Sequence, residues 1–370
     1  MEYSLTFIKG GQMISSLIEF IYKQKKKFEL YKDEKKILKK NKKYIKLLKN
    51  EKSKSELNNN RILKIMKNVY PNWDNCDNNL FVSDYFFQTK MLKKLNNINY
   101  RGNGVIDGSS YFTDKNYLEK VLGVMNPPLT VARCIDGNYY NKDYNIISKD
   151  EFLSILNQYN SLVFKVSIGS SHGRGVRNIE KQHYIKSIDN FGKNYIVQQK
   201  IEQCDFFAGF NPSSVNVIRI TSLLLDDEVI ILSSILRVGA PGSFCDLLAN
   251  NRTNPRIIAI NEDGSLENKA IDPYEGKVFD NIFGKEIKGV IPKFNNIIEL
   301  VKKEHINYKH HRIIGWDITI DKKLNIICIE FNSTVPGIIQ SQMCCGPIFA
   351  KKIKNKTILE LLLNDVKISD

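Results

Sequence analysis

After residue 160 the chain is cut into short apolar runs, LVFKVSI, NYIVQQKI, NVIRITSLLL, EVIILSSILRV, RIIAIN, RIIGWDITI and NIICIEF, separated by polar turns such as DDE, NEDGS and DKK. Runs of this length, rich in Ile and Val and bounded by turn residues, read as strands. Short turns such as DDE and DKK join neighbouring runs as hairpins, and the sheet is predicted to be mostly antiparallel. Helical patterns near Pro292–Glu304 and Lys356–Asn364 complete an α+β body rather than a doubly wound one. Upstream, the helix-like pieces YFFQTKMLKKL, KNYLEKVLGVM and KDEFLSILNQY alternate with extended ones around VIDG and LTVARCIDG, which predicts a small α/β lobe.

The formal net charge of +15 is unevenly placed. Residues 23–54 hold fifteen lysines against four acids, so the rest of the chain is nearly balanced and its charge says little about a ligand. In that segment Leu30, Ile37 and Tyr44 fall seven apart, as do Tyr31, Leu38 and Ile45, which predicts a helix with one apolar stripe. Three readings fit it: a helix docked on the body or on a second subunit, an interfacial helix on an anionic membrane surface, or a binder of phosphate backbone. No specific nucleic-acid partner is expected.

No apolar run reaches the roughly 20 residues that span a bilayer, and MEYSLTFIKGGQMISS carries an acid at position 2 with no basic stretch before a long apolar one. The seven cysteines include no Cys-x-x-Cys pair and have no histidine at metal-ligand spacing. A cytoplasmic protein without structural zinc is expected. The neighbouring Cys344 and Cys345 suit either a redox pair or two small buried residues.

Phe164 to Val176, FKVSIGSSHGRGV, places a lysine on a strand just before a glycine- and serine-rich turn. A Walker A loop carries its lysine after the glycines at a helix start, and a dinucleotide fingerprint needs another glycine spacing, so neither applies. Backbone N–H groups of Gly169 to Gly173 can still fold over phosphate oxygens while Lys165 supplies a point charge from the strand. A plain hairpin turn is the competing reading. Downstream, GWDITIDKKLNIICIEFNS reads as a hairpin turning near Lys322 and Lys323. That register sets Asp317 opposite Cys328, with Glu330 and Asn332 two and four residues further on, and period-two alternation gives all three polar residues one face. Two carboxylates and an amide oxygen are hard ligands suited to Mg²⁺ completed by phosphate oxygens. A solvated polar face is the alternative. Arg219 and Arg237 each interrupt an apolar strand, where a charge wants a buried partner or an anionic ligand.

Lys165 before a glycine loop, IVQQKI some thirty residues on, and Asp317, Glu330 and Asn332 in order resemble the ATP-grasp superfamily. GSSHGRGV, SSVNVIRITSLL, ILRVGAPGSFCDLLANN and GWDITI are similar, more narrowly, to the sugar-transfer-associated members found with capsule, O-antigen and cell-wall polysaccharide genes. The resemblance spans about Phe81 to Ala350. It implies an ATP-grasp fold, two α+β subdomains gripping ATP between antiparallel sheets. The expected boundaries are 1–60 for a basic helical extension, 61–155 for the small lobe, 156–210 for the lid subdomain and 211–370 for the large subdomain.

The resemblance also implies residue roles. Lys165 would bind the α- and β-phosphates, and Gly169, Ser170, Ser171, Gly173 and Gly175 would belong to a mobile lid, in which His172 would contact a phosphate or act as acid or base, or else be a plain exposed loop histidine. Gln198, Gln199, Lys200 and Ile201 would form the adenine hinge, with Gln198 and Gln199 where an acid is usual. Gln203 or Asp205 would contact ribose, and Asp317, Glu330 and Asn332 would hold Mg²⁺. Arg219 and Arg237 would lie near the γ-phosphate and the acyl phosphate.

The implied activity is an ATP- and Mg²⁺-dependent carboxylate-amine ligase acting in surface polysaccharide synthesis, joining an amine or amino acid to a sugar or uronic-acid carboxylate. A kinase of the same fold and a non-catalytic nucleotide-binding module docked on a membrane assembly are the alternatives. Residues 23–54 would then make any peripheral contact with an anionic membrane.

Overall fold

The structure, a computed structural model, describes residues 66–73, 80–82, 87–96, 109–168, 173, 175–247, 253–353 and 355–366. The basic segment 23–54, and with it the expected 1–60 extension, lies outside them. Among the described residues no helix is long and apolar enough to cross a membrane.

Two antiparallel sheets dominate. The smaller, here the lid sheet, contains β1 (Thr130–Ile135), β2 (Asn138–Asn141), β3 (Ile146–Ile147), β4 (Ser161–Val166), β5 (Val176–Glu180) and β6 (Tyr195–Gln198) in the order β3-β2-β1-β6-β4-β5. Helices α1 (Lys149–Leu156) and α2 (Tyr184–Asn190) cover one face of it. α1 starts where it does because Ser148 and Glu151 form a reciprocal capping box that satisfies two orphan N–H groups. Phe152, Leu156, Tyr184 and Ile188 bury their apolar faces against Phe164, Tyr195 and Val197, each worth about 1.5–3 kcal/mol of burial.

This pairing moves one expected boundary. A break at 155/156 would cut the lid sheet, because β1 pairs with β6 across more than sixty residues, Thr130 opposite Gln198. LTVARCIDG therefore belongs to the lid and not to a separate small lobe. The period-two pattern shows a strand there but carries no information about a partner so distant in sequence.

The larger sheet is built from β7 (Val217–Leu225), β8 (Glu228–Val238), β9 (Arg256–Ile260), β10 (Leu266–Ile271) and β11 (Val278–Phe279), then, after a small hairpin of β12 (Asn281–Ile282) and β13 (Lys285–Glu286), from β14 (Ile313–Ile320) and β15 (Ile326–Asn332). Its order is β11-β10-β9-β8-β7-β14-β15. Every residue of β7 and β14 is buried, because the sheet is covered on both faces. The short α3 (Asp205–Phe210) and the longer α4 (Phe294–His305) contribute to one core, and α5 (Ile339–Cys345) packs on β8, β9 and β10. α4 follows Pro292, presents Phe294, Ile297 and Val301 at helical spacing, and ends near Lys302 and Lys303, which complement the helix dipole.

Two buried polar knots fasten α4. Trp316 Nε1 donates to Ser222 Oγ at 2.7 Å, Ser222 Oγ lies 2.7 Å from His305 Nδ1, and His305 Nε2 lies 2.9 Å from the His311 carbonyl. That chain fits a neutral imidazole protonated on Nε2, and burial pushes the His305 pKa down to about 4. Glu304, fully buried, accepts N–H bonds from Gly123, Val124 and Met125 at 2.7–2.8 Å and the Tyr308 hydroxyl at 2.6 Å.

From Met125 the chain enters the lid sheet along the edge of β15, where Asn126 bridges Ile327 and the Cys328 N–H donates to the Asn126 carbonyl at 2.8 Å. It returns beside β14. There Gln203 bridges Asp321, the Cys204 N–H donates to Ile320 at 2.9 Å and the Lys322 N–H to Glu202 at 2.7 Å. A bond from the Gln199 N–H to the Leu129 carbonyl, 2.9 Å, ties the two crossings together.

Candidate functional site

The lid sheet and the large sheet face each other across a cavity of about 120 Å³. Val163, Lys165, Gly173, Val176, Gln199 and Ile201 line it from the lid; Val217, Asp317, Ile329 and Glu330 line it from the large sheet. Apolar walls at one end and ionised groups at the other suit a ligand with a flat apolar part and an anionic tail.

The polar end is set by one irregularity. β14 and β15 turn at Asp321–Asn325, as expected, but the pairing is Ile318 opposite Cys328 and Asp317 opposite Glu330, with Ile329 bulged out between them. The expected partner of Asp317, Cys328, instead faces the core with Trp316 and Phe331. The bulge returns Glu330 to the cleft face and lets Ile329 line the cavity as well. Asp317 and Glu330 are therefore direct cross-strand neighbours, and Asn332 Nδ2 reaches Asp317 Oδ2 at 3.3 Å.

The two carboxylates have different company. Arg219, opposite Asp317 on β7, sets Nε 2.7 Å from Oδ1, without hydrogen-bond alignment, and donates from Nη2 to Oδ2 at 3.0 Å. Arg237 donates from Nη1 to Oδ1 at 3.1 Å, and the same nitrogen lies 3.6 Å from Asp246 Oδ2. Neither arginine lines the cavity; both stand behind Asp317. Glu330 instead takes Lys115 Nζ at 2.9 Å. Lys165 reaches the cavity from β4, enclosed by both sheets. Burial first, and then the charge of Lys115, push its ammonium down to about 8, while Glu330 pulls the other way.

Two of these groups carry little signal in the sequence. Lys115 opens a short turn capped by Asp114, whose carboxylate accepts the Asn116 N–H, and its own N–H donates to the Ser167 carbonyl at 3.1 Å. No repeat or strand pattern marks it; only the aspartate-lysine pair of a capped turn does. Asp246, in the loop after β8, lines the cavity, and burial pushes its carboxyl up against the pull of Arg237. Cys245 beside it also lines the cavity, and burial raises its thiol to about 12, far from thiolate reactivity.

Of the glycine loop, Gly169, Ser170, Ser171 and His172 lie outside the described residues. Gly173 and Gly175 have φ of +73° and +80°, a conformation that favours glycine, and the Val176 N–H returns to the Gly173 carbonyl at 3.2 Å. At the hinge, Gln199 and Ile201 reach the cavity, whereas Gln198 is buried between Thr130 and Val163. A second cavity of about 260 Å³ adjoins the first through Ile201, Val215 and Phe244, and Lys200, Gln203 and Asp205 line it. Both amide atoms of Gln203 are engaged: Nε2 donates to the Asn211 and Ser214 carbonyls, and Oε1 accepts the Asn216 N–H. Asp205 is exposed and leaves its carboxylate to the cavity. Cys344 and Cys345 sit together at the end of α5 as free thiols, away from the cleft-lining residues.

Sheets gripping a cleft, with a lysine on one and paired carboxylates on the other, define an α+β nucleotide-grasping architecture. The family model described as sugar-transfer associated ATP-grasp matches residues 165–357, just over half of the chain, and the chain belongs to that family. No protein of curated function matches the sequence.

Among solved structures, the chain is similar to D-alanyl-alanine synthetase A from Vibrio cholerae, at 10% identity, TM-score 0.42, 70% of this chain and 66% of that one. It is also similar to the VanG D-Ala:D-Ser ligase of Enterococcus faecalis, at 12%, 0.40, 70% and 63%. A third is the biotin carboxylase domain of Hydrogenobacter thermophilus 2-oxoglutarate carboxylase, in complex with MgADP and bicarbonate, at 15%, 0.36, 66% and 47%. The chain thus spans less than two thirds of each of these proteins.

Proposed function

We propose that this protein is an ATP- and Mg²⁺-dependent carboxylate-amine ligase that joins an amine or amino acid to a sugar carboxylate during surface polysaccharide synthesis. The observation that carries the reading is the direct opposition of Asp317 and Glu330 across the cleft from Lys165. The donor set fits a magnesium ion: two carboxylates and an amide, hard oxygen donors on one face, with phosphate oxygens left to complete an octahedron. Lys115 already places a cationic head 2.9 Å from Glu330, so the position favours positive charge. The sugar acceptor rests on the family's description, and the ligase chemistry on the kind of enzyme the structural neighbours are.

In this reading the base lies between the apolar walls, Val163 and Val176 on one side and Val217 and Ile329 on the other. The hinge residues Gln199 and Ile201 hold its edge, Lys200 and Asp205 stand at the ribose, and Gln203 shapes that wall. Lys165 and the glycine loop hold the phosphate tail. Bound magnesium would neutralise charge on the β- and γ-phosphates, held by Asp317, Glu330 and Asn332. A carboxylate oxygen of the first substrate bonds to the γ-phosphorus as the bond to ADP breaks. The amine then bonds to the acyl carbon, phosphate leaves and the amine gives up a proton. Lys165 and Lys115 balance charge on the transferring group, and Arg219 and Arg237 hold Asp317 in place.

The test is ADP release from the purified chain with ATP, Mg²⁺ and pools of uronic acids and amino acids, with Glu330→Gln as control. Release that requires both a carboxylate and an amine, and is lost in the variant, is expected. Release that needs no amine makes the protein a kinase; ATP binding without any turnover makes it a binding module.

A further inference from the structure

Resemblance to the wider fold family points Arg219 at a phosphate, but its surroundings leave it no free edge in that direction. On one edge of the guanidinium Nη2 donates to Asp317 Oδ2 while Nε lies 2.7 Å from Oδ1 without alignment, and the remaining Nη1 donates to the Pro336 carbonyl at 3.1 Å. Arg219 is buried and Asp317 lies between it and the cavity.

The meeting with Pro336 takes place over a glycine. A Cβ on Gly315 would collide with Arg219 Nη1 and come within 2.7 Å of the Pro336 carbonyl oxygen. Gly315 has no positive φ to explain it, so the space above it is its structural use. That space seats the guanidinium between β14 and the loop 333–337. The loop follows Asn332 directly, at the end of the cleft remote from the hinge crossings, and turns Val335 outward, 51% exposed. Its start is pinned separately, by Asn96 Nδ2 on the Ser333 carbonyl.

We propose that Arg219 is a positioning residue: its forked guanidinium, seated over Gly315, links Asp317 to the Pro336 carbonyl and so fixes the loop 333–337 at the end of the cleft where the second substrate enters. Calling that end the substrate's rests on the ligase reading; the link itself does not. A lysine cannot replace this fork, because an ammonium cannot hold a carboxylate edge-on and a carbonyl on its other side at once.

The experiment uses the full chain with Arg219→Gln, Arg219→Lys and Gly315→Ala, and Lys165→Met as a phosphate-contact control. Two quantities are read: amide hydrogen exchange at Thr334, Val335 and Gly337 without nucleotide, and the affinities for ATP and for AMP. The expectation is at least a roughly tenfold faster exchange of the loop in all three variants, including the charge-conserving lysine, with the sheet amides unchanged. The preference for ATP over AMP should collapse in Lys165→Met, whereas any change in Arg219→Gln should be shared by Arg219→Lys, because it acts through Asp317 and not at a phosphate.

Unchanged loop exchange overturns the proposal. So does a selective loss of ATP over AMP affinity in Arg219→Gln that Arg219→Lys restores, since that marks a phosphate contact. Gly315→Ala retains every charge and keeps the test decisive where Arg219→Gln fails to fold. A wild type that binds no ATP sinks the ligase reading but leaves the loop-exchange result to decide the inference alone.

Discussion

Asp317 and Glu330 face each other on neighbouring strands, yet they are held in opposite ways. Asp317, its side chain 12% exposed, sits among two buried arginines and an asparagine amide; Glu330, 31% exposed, touches a lysine at the cleft. Arginine stays charged and forks, so it locks geometry; lysine is a point charge on a flexible stem that can leave when a stronger cation arrives. The pair therefore combines a fixed carboxylate with an exchangeable one, and burial decides which is which.

Removing each carboxylate in turn tests this contrast most strongly. Asp317→Ala leaves buried Arg219 without a carboxylate and Arg237 with Asp246 alone, and should lower unfolding free energy by about 3–5 kcal/mol, whereas Glu330→Ala should cost about 0–1 kcal/mol, both read from urea denaturation. Similar losses for the two would erase the distinction. Activity should fall with either, but only the Glu330 variant should do so while folded as stably as wild type.

Next in size is the pH dependence of nucleotide affinity. Lys165, lowered to about 8 from 10.5, is charged below that pH and neutral above it. ATP affinity should therefore fall as pH rises through 8, by up to about tenfold per unit, because binding must then take up a proton. The sign for the nucleotide-free fold is opposite: between 8 and 10.5 the unfolded chain keeps a proton the folded one has released, so stability rises with pH. The substitution Lys165→Arg should flatten the affinity profile in titrations from about pH 7 to 9.5, since a guanidinium stays charged throughout; a wild-type profile already flat would remove Lys165 from the phosphate end.

The smallest effect belongs to Lys115→Met. Losing a partly exposed pair should change stability by no more than about 1 kcal/mol, yet it frees Glu330. Mn²⁺ binding to the nucleotide-free protein, followed by its paramagnetic signal, should tighten. Weaker Mn²⁺ binding would mean that Lys115 orders Glu330 instead of competing for it.

Much of this is legible in the sequence where the signal is local. The strands around Lys165, Arg219, Arg237 and Asp317, and the turn at Lys322 and Lys323, follow from alternation and turn residues within a few positions. The helix α5 is not legible, because IIQSQMCC carries no capping signal and is held by tertiary packing on β8 and β9. The expected register is off by the bulge at Ile329, since a single inserted residue leaves the apolar pattern on both sides intact. Lys115 and Asp246 escape emphasis because their partners, Glu330 and Arg237, are distant in sequence or separated from them by a loop.

The two chain crossings sewn to the β14–β15 hairpin have a mechanical consequence. A rotation of the lid sheet against the large sheet about that hairpin would use it as an axle. Displacement grows with distance from an axle, so a small rotation sweeps the far lid strands widely and shifts little near the turn. Asp317 lies four residues from Asp321, about 13 Å along its strand, on the stationary side. A change in the length of either crossing would thus alter how wide the jaws gape while leaving the carboxylates between them undisturbed.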